Sequence, residues 1–201
     1  MTSPTDTTLD SYEQRAGAYV AASPQAVGAA VGALLDAVVA RLPAGSRVLE
    51  IGTGPGREAT YLEEHGLLVE RTDATGAFVR RLQEQGHEAR LLDVRDGDLG
   101  GPHDAVLANA VLLHLSRSDA ARALASCLEA TRPGGLLALT LKKGRGERWS
   151  DAKLGEPRWF VYWDEAGLRT LLDDAGWQVI DIHEVEGRVP EEPWLFVLCQ
   201  R

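Results

Sequence analysis

"VLEIGTGPGREATYL", residues 48–62, places an apolar run, a glycine-rich turn and a helix-like pattern end to end. Val48, Leu49 and Ile51 read as a buried strand, and Arg57 to Leu62 as the first turns of a helix. Between them stand Gly52, Gly54 and Gly56. Glycine tolerates positive φ and lets a ligand approach the backbone closely, so such a turn is a place to bind something. A dinucleotide fingerprint, GxGxxG, would need glycine at position 57, where the chain has Arg57. The turn reads GxGxG, which weakens a pyrophosphate reading.

The pattern around that turn alternates. Upstream, Ser23-Pro24 reads as a helix start, and Val27, Val31, Leu34, Leu35, Val38 and Leu42 keep helical spacing up to "PAGS". Downstream come strand "LLVERT", helix "GAFVRRLQEQG", strand "HEARLLDV", strand "HDAVLANA", helix "SDAARALASCLEATR" and strand "GGLLALTLK". Strands alternating with helices imply βαβ units and a parallel sheet covered on both faces. A 20-residue stretch, "KGRGERWSDAKLGEPRWFVY", then separates the fifth strand from helix "DEAGLRTLLDDAG". So long a connection is more often functional than idle. The segments "WQVIDIHEVEG" and "EPWLFVLCQR" read as a closing antiparallel pair.

Length and composition narrow the class. A chain of 201 residues, 44% apolar and 25% charged, suits one soluble domain, 1–201. Its net charge of -9 argues against a broad nucleic-acid surface. Cys127 and Cys199 lie in apolar patterns outside any CxxC or Cys/His cluster, so no metal site is expected, and both read as buried reduced thiols. No basic-then-apolar leader opens the chain, and Asp36 interrupts the alanine-rich run at 24–42. The expectation is a cytoplasmic protein with no membrane span.

Acids stand at the strand ends beside the turn. Asp73 closes the second strand, where a carboxylate accepts ribose hydroxyls, and Asp93 closes the third, at the level of an exocyclic adenine amine. Glu50 lies inside the first strand, and a buried acid needs a hydrogen-bonding role. In this order and spacing, "VLEIGTGPG", "TDAT", "LLDV", "HDAVLANAVLLHL" and "RPGGLLALTL" resemble successive motifs of class I S-adenosylmethionine-dependent methyltransferases. The resemblance covers roughly residues 45 to 142. It implies a Rossmann-like α/β fold, doubly wound, with seven strands in the order 3-2-1-4-5-7-6 and strand 7 antiparallel.

By that resemblance Glu50, Gly52, Thr53, Gly54 and Gly56 hold the methionine part of S-adenosyl-L-methionine, whose product is S-adenosyl-L-homocysteine. Asp73 and Ala74 serve the ribose, Asp93 with Val94 the adenine, and Asn109 borders the methyl group. "SYEQRAGAY" is similar to the family's N-terminal lid, within residues 1–44, and places Tyr12 and Tyr19 over the sulfonium region. Packing on the core is an equal reading for both tyrosines. His103 stands where the family often has an aromatic residue.

Chemistry is less legible. His114, after strand four, is the candidate general base; a cap or a packing residue beside the cofactor is the other reading. "ANAVL" lacks the Asn/Asp-Pro-Pro-aromatic motif of nucleobase amino methylation, and no CxxxCxxC is present. The insertion at 143–163 is the expected acceptor site, with Lys143, Arg145, Arg158 and Tyr162 as candidate contacts. The expected reaction is methyl transfer to O or N of a small molecule, by in-line displacement. An RNA or protein acceptor at the basic run, and a cofactor-binding protein without transfer, remain as alternatives. A nicotinamide oxidoreductase is disfavoured by Arg57.

Overall fold

Arg47–Ile51 forms β1, and every residue after Arg47 in it is buried, as in a strand covered on both faces. In the computed structural model, which describes residues 2–187 and 192–201, β1 is the centre from which the sheet grows. β2 (Leu68–Asp73) and β4 (His103–Asn109) flank it in parallel, with Leu49 opposite both Glu70 and Val106. β3 (Ala89–Leu91) adds outside β2, and β5 (Thr131–Lys142) outside β4. The last two strands of the sheet, β8 (Gln178–Val185) and β9 (Trp194–Gln200), pair antiparallel, and β9 inserts antiparallel beside β5. The order β3-β2-β1-β4-β5-β9-β8 is the expected seven-stranded topology.

Strand alternation divides the core between the two faces. Leu49, Val106, Leu137, Leu139 and Val197 meet α5 (Arg117–Ala130) and α6 (Glu165–Asp174), with Trp177 buried among them. Val48, Leu107, Leu136, Ala138 and Leu198 meet α2 (Ala29–Val39) and Leu62 of α3 (Arg57–Glu64). Side chains at α5 and α6 starts satisfy free backbone N–H groups: Ser116 accepts from Asp119 at 3.1 Å and Asp164 from Gly167 at 2.8 Å. Helix α4 (Gly76–Glu84) links β2 to β3.

Three local readings need correction. The helix expected from Ser23-Pro24 begins only at Ala29, with Gly28 as a cap that offers no side chain. The Ser23 hydroxyl instead donates to the Tyr19 carbonyl at 2.7 Å, two residues past the end of helix α1 (Pro4–Ala21). The same Ser-Pro signal acts at Ser3-Pro4, where Ser3 and Asp6 form a reciprocal capping box. Strand three is shorter than "HEARLLDV", because Asp93 caps a 3-10 turn at Val94–Asp96. The long connection after β5 is a hairpin, β6 (Glu147–Ser150) against β7 (Arg158–Val161), with Trp149 opposite Trp159. Its β-branched and aromatic residues pair locally, outside the main sheet.

Candidate functional site

The carboxyl ends of β1, β2, β3 and β4 converge on a cleft holding about 720 Å³ of empty space, part of it open to solvent. Gly52 and Gly54 line it from the first turn, at φ +67° and +49°. A side chain on Gly52 would strike Val111 at 2.5 Å, whereas Gly54 faces open space. The turn is therefore glycine for two reasons: close packing at one position, and left-handed backbone beside a cavity at the other.

Asp73 and Ala74 line the cleft from β2. The Asp73 carboxylate is buried and accepts the Gly54 and Thr75 amides, each at 2.8 Å. Burial raises its pKa above the usual carboxylate value, and those two amides oppose the rise. Each oxygen keeps a further lone pair, so the acid can still accept from a vicinal diol. Glu50 and Thr53 sit beneath the turn, outside the cavity lining: the buried Thr53 hydroxyl donates to the Glu50 carboxylate. Burial, with Glu58 nearby, raises the Glu50 pKa. Gly56 also stands back from the cavity, as the left-handed cap of α3 at φ +82°.

At the third strand end, Asp93 and Val94 line the cleft. Asp93 is held by Arg95, whose guanidinium also reaches Asp6 of α1 at 2.8 Å. At the fourth, the Asn109 amide is fixed in one orientation. Its Nδ2 donates to Glu58 at 3.0 Å and its Oδ1 accepts the Thr140 hydroxyl at 2.7 Å. The next residue, Ala110, takes φ +58°, a left-handed conformation that is costly for alanine, and it faces the cavity.

The roof comes from α1. Thr5, Thr8, Leu9 and Tyr12 line the cleft at one-face helical spacing, followed by Tyr19. Tyr12 and Tyr19 meet edge to face at 5.4 Å between centroids, and Phe78 of α4 packs against both. Tyr12 Oη stands 3.0 Å from His114 Nε2, and burial pushes its pKa up to about 12. His114 Nδ1 lies 2.6 Å from the Trp159 carbonyl, which only an N–H can satisfy. The proton thus sits on Nδ1, and Nε2 accepts from Tyr12. Desolvation lowers the His114 pKa to about 3, with Arg158 and Lys142 contributing and the Trp159 carbonyl opposing.

The four expected acceptor contacts separate. Arg158 is buried and donates from Nη1 to Tyr12 Oη at 3.3 Å. Lys143 pairs with Glu184, and the largely exposed Arg145 pairs with Asp164 at 3.0 Å. The Tyr162 hydroxyl donates to Glu192 at 3.4 Å. None of the four lines the cleft itself. Thr5, Thr8, Phe78, Glu58 and Arg95 were not singled out from sequence; the spacing of Thr5, Thr8 and Tyr12 was the available signal. Among the described residues no group of three or more His, Cys, Asp or Glu could hold a metal, and no helix is long and apolar enough to cross a membrane.

The chain matches the methyltransferase domain family over residues 25–182. It is 31% identical over 183 residues to a trans-aconitate 2-methyltransferase of Mycolicibacterium gilvum, covering 81% of this chain and 71% of that one. It is also 31% identical over 123 residues to an S-adenosyl-L-methionine-dependent Diels–Alderase of Talaromyces variabilis, covering 56% and 41% of the two chains. Its fold is similar to the 1,6-didemethyltoxoflavin-N1-methyltransferase of Burkholderia thailandensis, solved with its substrate and S-adenosylhomocysteine. The TM-score is 0.69 at 23% identity, covering 86% of this chain and 78% of the other.

Proposed function

Because the chain belongs to the S-adenosylmethionine-dependent methyltransferase family, we propose that its cleft passes a methyl group to oxygen or nitrogen of a small-molecule acceptor. The observation that carries this reading is the buried Asp73 carboxylate, held by the Gly54 amide at the mouth of an open glycine turn. That pairing fits the ribose of S-adenosyl-L-methionine. Asp93 and Val94 would hold the adenine, the Gly52–Gly54 turn the amino-acid part, and Asn109, Tyr12 and Tyr19 the reacting end. The cofactor supplies a methyl group already activated on a sulfonium.

What remains for the protein is positional: to hold an acceptor in line and keep water out, which accounts for much of such a rate enhancement. Helix α1 and the β6–β7 hairpin act as the cover, joined by hydrogen bonds from Ser11 to the Pro157 carbonyl at 2.7 Å and from the Trp159 amide to Thr8 at 2.8 Å. We assign His114 the orienting of Tyr12, in place of the general-base role considered from sequence. With Nδ1 donating to a carbonyl and its basicity lowered, the ring anchors the Tyr12 hydroxyl and draws little on a proton. The relative from Mycolicibacterium gilvum is named for a small acid acceptor, which supports a small molecule here over RNA or a protein side chain. The buried free thiols Cys127 and Cys199 fit the reducing cytoplasm, where we place the protein.

Calorimetric titration with S-adenosyl-L-methionine and S-adenosyl-L-homocysteine tests the reading. Asp73→Ala should weaken both by about 1.5–3 kcal/mol, the scale of hydrogen bonds to a charged group. Unchanged affinity in that variant would remove the ribose assignment. Tight binding with no methyl transfer to any acceptor would favour a role like that named for the Talaromyces variabilis relative.

A further inference from the structure

Asp73 and Asp93 both stand at strand ends on the cleft, but their oxygens are engaged differently. Asp73 takes one backbone amide on each oxygen, from Gly54 and from Thr75. Asp93 is gripped by a single residue, Arg95. The Arg95 backbone N–H donates to Oδ1 at 2.9 Å and its Nη2 to Oδ2 at 2.6 Å. Its Nε is shared between the two oxygens, at 3.0 Å from each. A carboxylate offers about four acceptor sites. The N–H groups of Arg95 leave about one of them, on Oδ2, because Oδ1 carries the amide as well as the shared Nε.

Arg95 lies outside the cleft lining; Asp93 lines it, with Val94 beside it. The guanidinium therefore acts on a bound ligand through the carboxylate, by fixing which way the free site points. It is itself held at the far end. Nη1 meets Asp6 Oδ1 at 2.8 Å, and Asp6 belongs to the capping box that starts α1, its other oxygen accepting the Ser3 amide at 3.3 Å. All the guanidinium nitrogens are thus engaged, and the fork cannot turn while α1 is docked. Without it the Asp93 carboxylate would be free to swing and offer acceptor sites in several directions. One site of fixed direction matches one N–H of an exocyclic amine. It rejects a ring that shows a carbonyl oxygen at the same place, where two acceptors would face each other unpaired.

We propose that Arg95, braced by Asp6 of α1, is the positioning residue that makes Asp93 selective for the 6-amino group of the cofactor's adenine. This rests on the methyltransferase reading above. A hypoxanthine base, with oxygen at that place and its N–H on the neighbouring ring nitrogen, is refused as long as Asp93 cannot turn toward that nitrogen. The roof helix thereby takes part in choosing the base, through a side chain that does not itself line the cleft.

The test titrates the full chain by calorimetry with S-adenosyl-L-homocysteine and S-inosyl-L-homocysteine, which differ in the base alone. The wild type should favour the adenine ligand tenfold or more, the scale of a hydrogen bond to a charged group. Arg95→Met should cut that ratio at least threefold. Two affinities that fall together, with the ratio unchanged, would be a structural loss and overturn the proposal. Arg95→Lys keeps the charge without the fork and should not bring the ratio back. Full recovery there would show that charge, rather than orientation, selects the base, and overturns the proposal as well. Asp6→Asn, at a side chain 43% exposed, removes the brace alone and should give an intermediate ratio. The wild-type ratio in that variant would take α1 out of the assignment. Binding of S-adenosyl-L-homocysteine by the wild type is measured first. No binding sinks the methyltransferase reading, whereas equal binding of the two ligands sinks the selectivity of Asp93 and leaves that reading intact.

Discussion

At the scale of single residues the cleft is built from groups that burial has altered. Asp73 and Glu50 are both raised, but they do different things: one faces the cavity, the other braces the turn through Thr53. His114 is altered the other way, and the sign of its effect on stability follows. Its folded pKa, about 3, lies below the ordinary 6.5. Between those values the unfolded chain binds a proton that the folded one refuses. His114 therefore contributes stability that is complete above pH 6.5 and declines as the pH falls toward 3. Urea unfolding of wild type and His114→Gln from pH 4 to 8 should show the difference in stability between them shrinking as the pH falls; a constant gap would mean that the ring titrates alike in the folded and unfolded chain. The placement of Asp73, Gly52 and Gly54 on the cleft was legible from sequence because strand ends and turns carry local signatures, whereas Gly56 caps α3 instead. Glu58 was not: an acid at the start of a helix looks like any dipole partner until Asn109 is seen beside it.

Among the elements, α1 and the β6–β7 hairpin are the pair that matters. Thr5 donates to the His114 carbonyl at 2.8 Å, Arg15 meets Glu156 at 2.8 Å, and Arg95 ties Asp6 to the third strand end. The cover is thus fastened at both ends of the cleft. Thr8→Val, which keeps the shape and removes the acceptor for the Trp159 amide, should cost about 0.5–1.5 kcal/mol. Hydrogen exchange should show faster opening of residues 4–21, with weaker product binding alongside. Protection equal to wild type would show that α1 is held by its apolar contacts alone. The sequence showed a helix-forming N-terminus and a long aromatic connection, but not that one docks on the other. Hairpin pairing and helix docking join residues far apart in the chain, and no period records them. The same blindness misplaced the start of α2, because the Ser23 hydroxyl turns back to the Tyr19 carbonyl past the end of α1 instead of capping a new helix.

Over the whole molecule, stability resides in the two-faced sheet, away from the cleft mouth. Leu139→Ala, in the buried C-terminal half of β5, should cost about 2–5 kcal/mol in urea unfolding. Leu91→Ala, on the edge strand and 62% exposed, should stay within about 0.5 kcal/mol. Equal losses would contradict the layered core. The sheet was legible in the chain: alternating strands and helices, apolar on both faces, admit few topologies, and the glycine turn with acids at successive strand ends marks the end where the cleft opens. Those signals are local and periodic, so they survive in one dimension. Folding alone decided the wall where Tyr12 meets His114 across 102 positions and Arg158 across 146. A contact of that span leaves no pattern in the chain, because the partners' neighbours in sequence have nothing to do with each other; folding alone brings the Arg158 guanidinium within 3.3 Å of the Tyr12 hydroxyl.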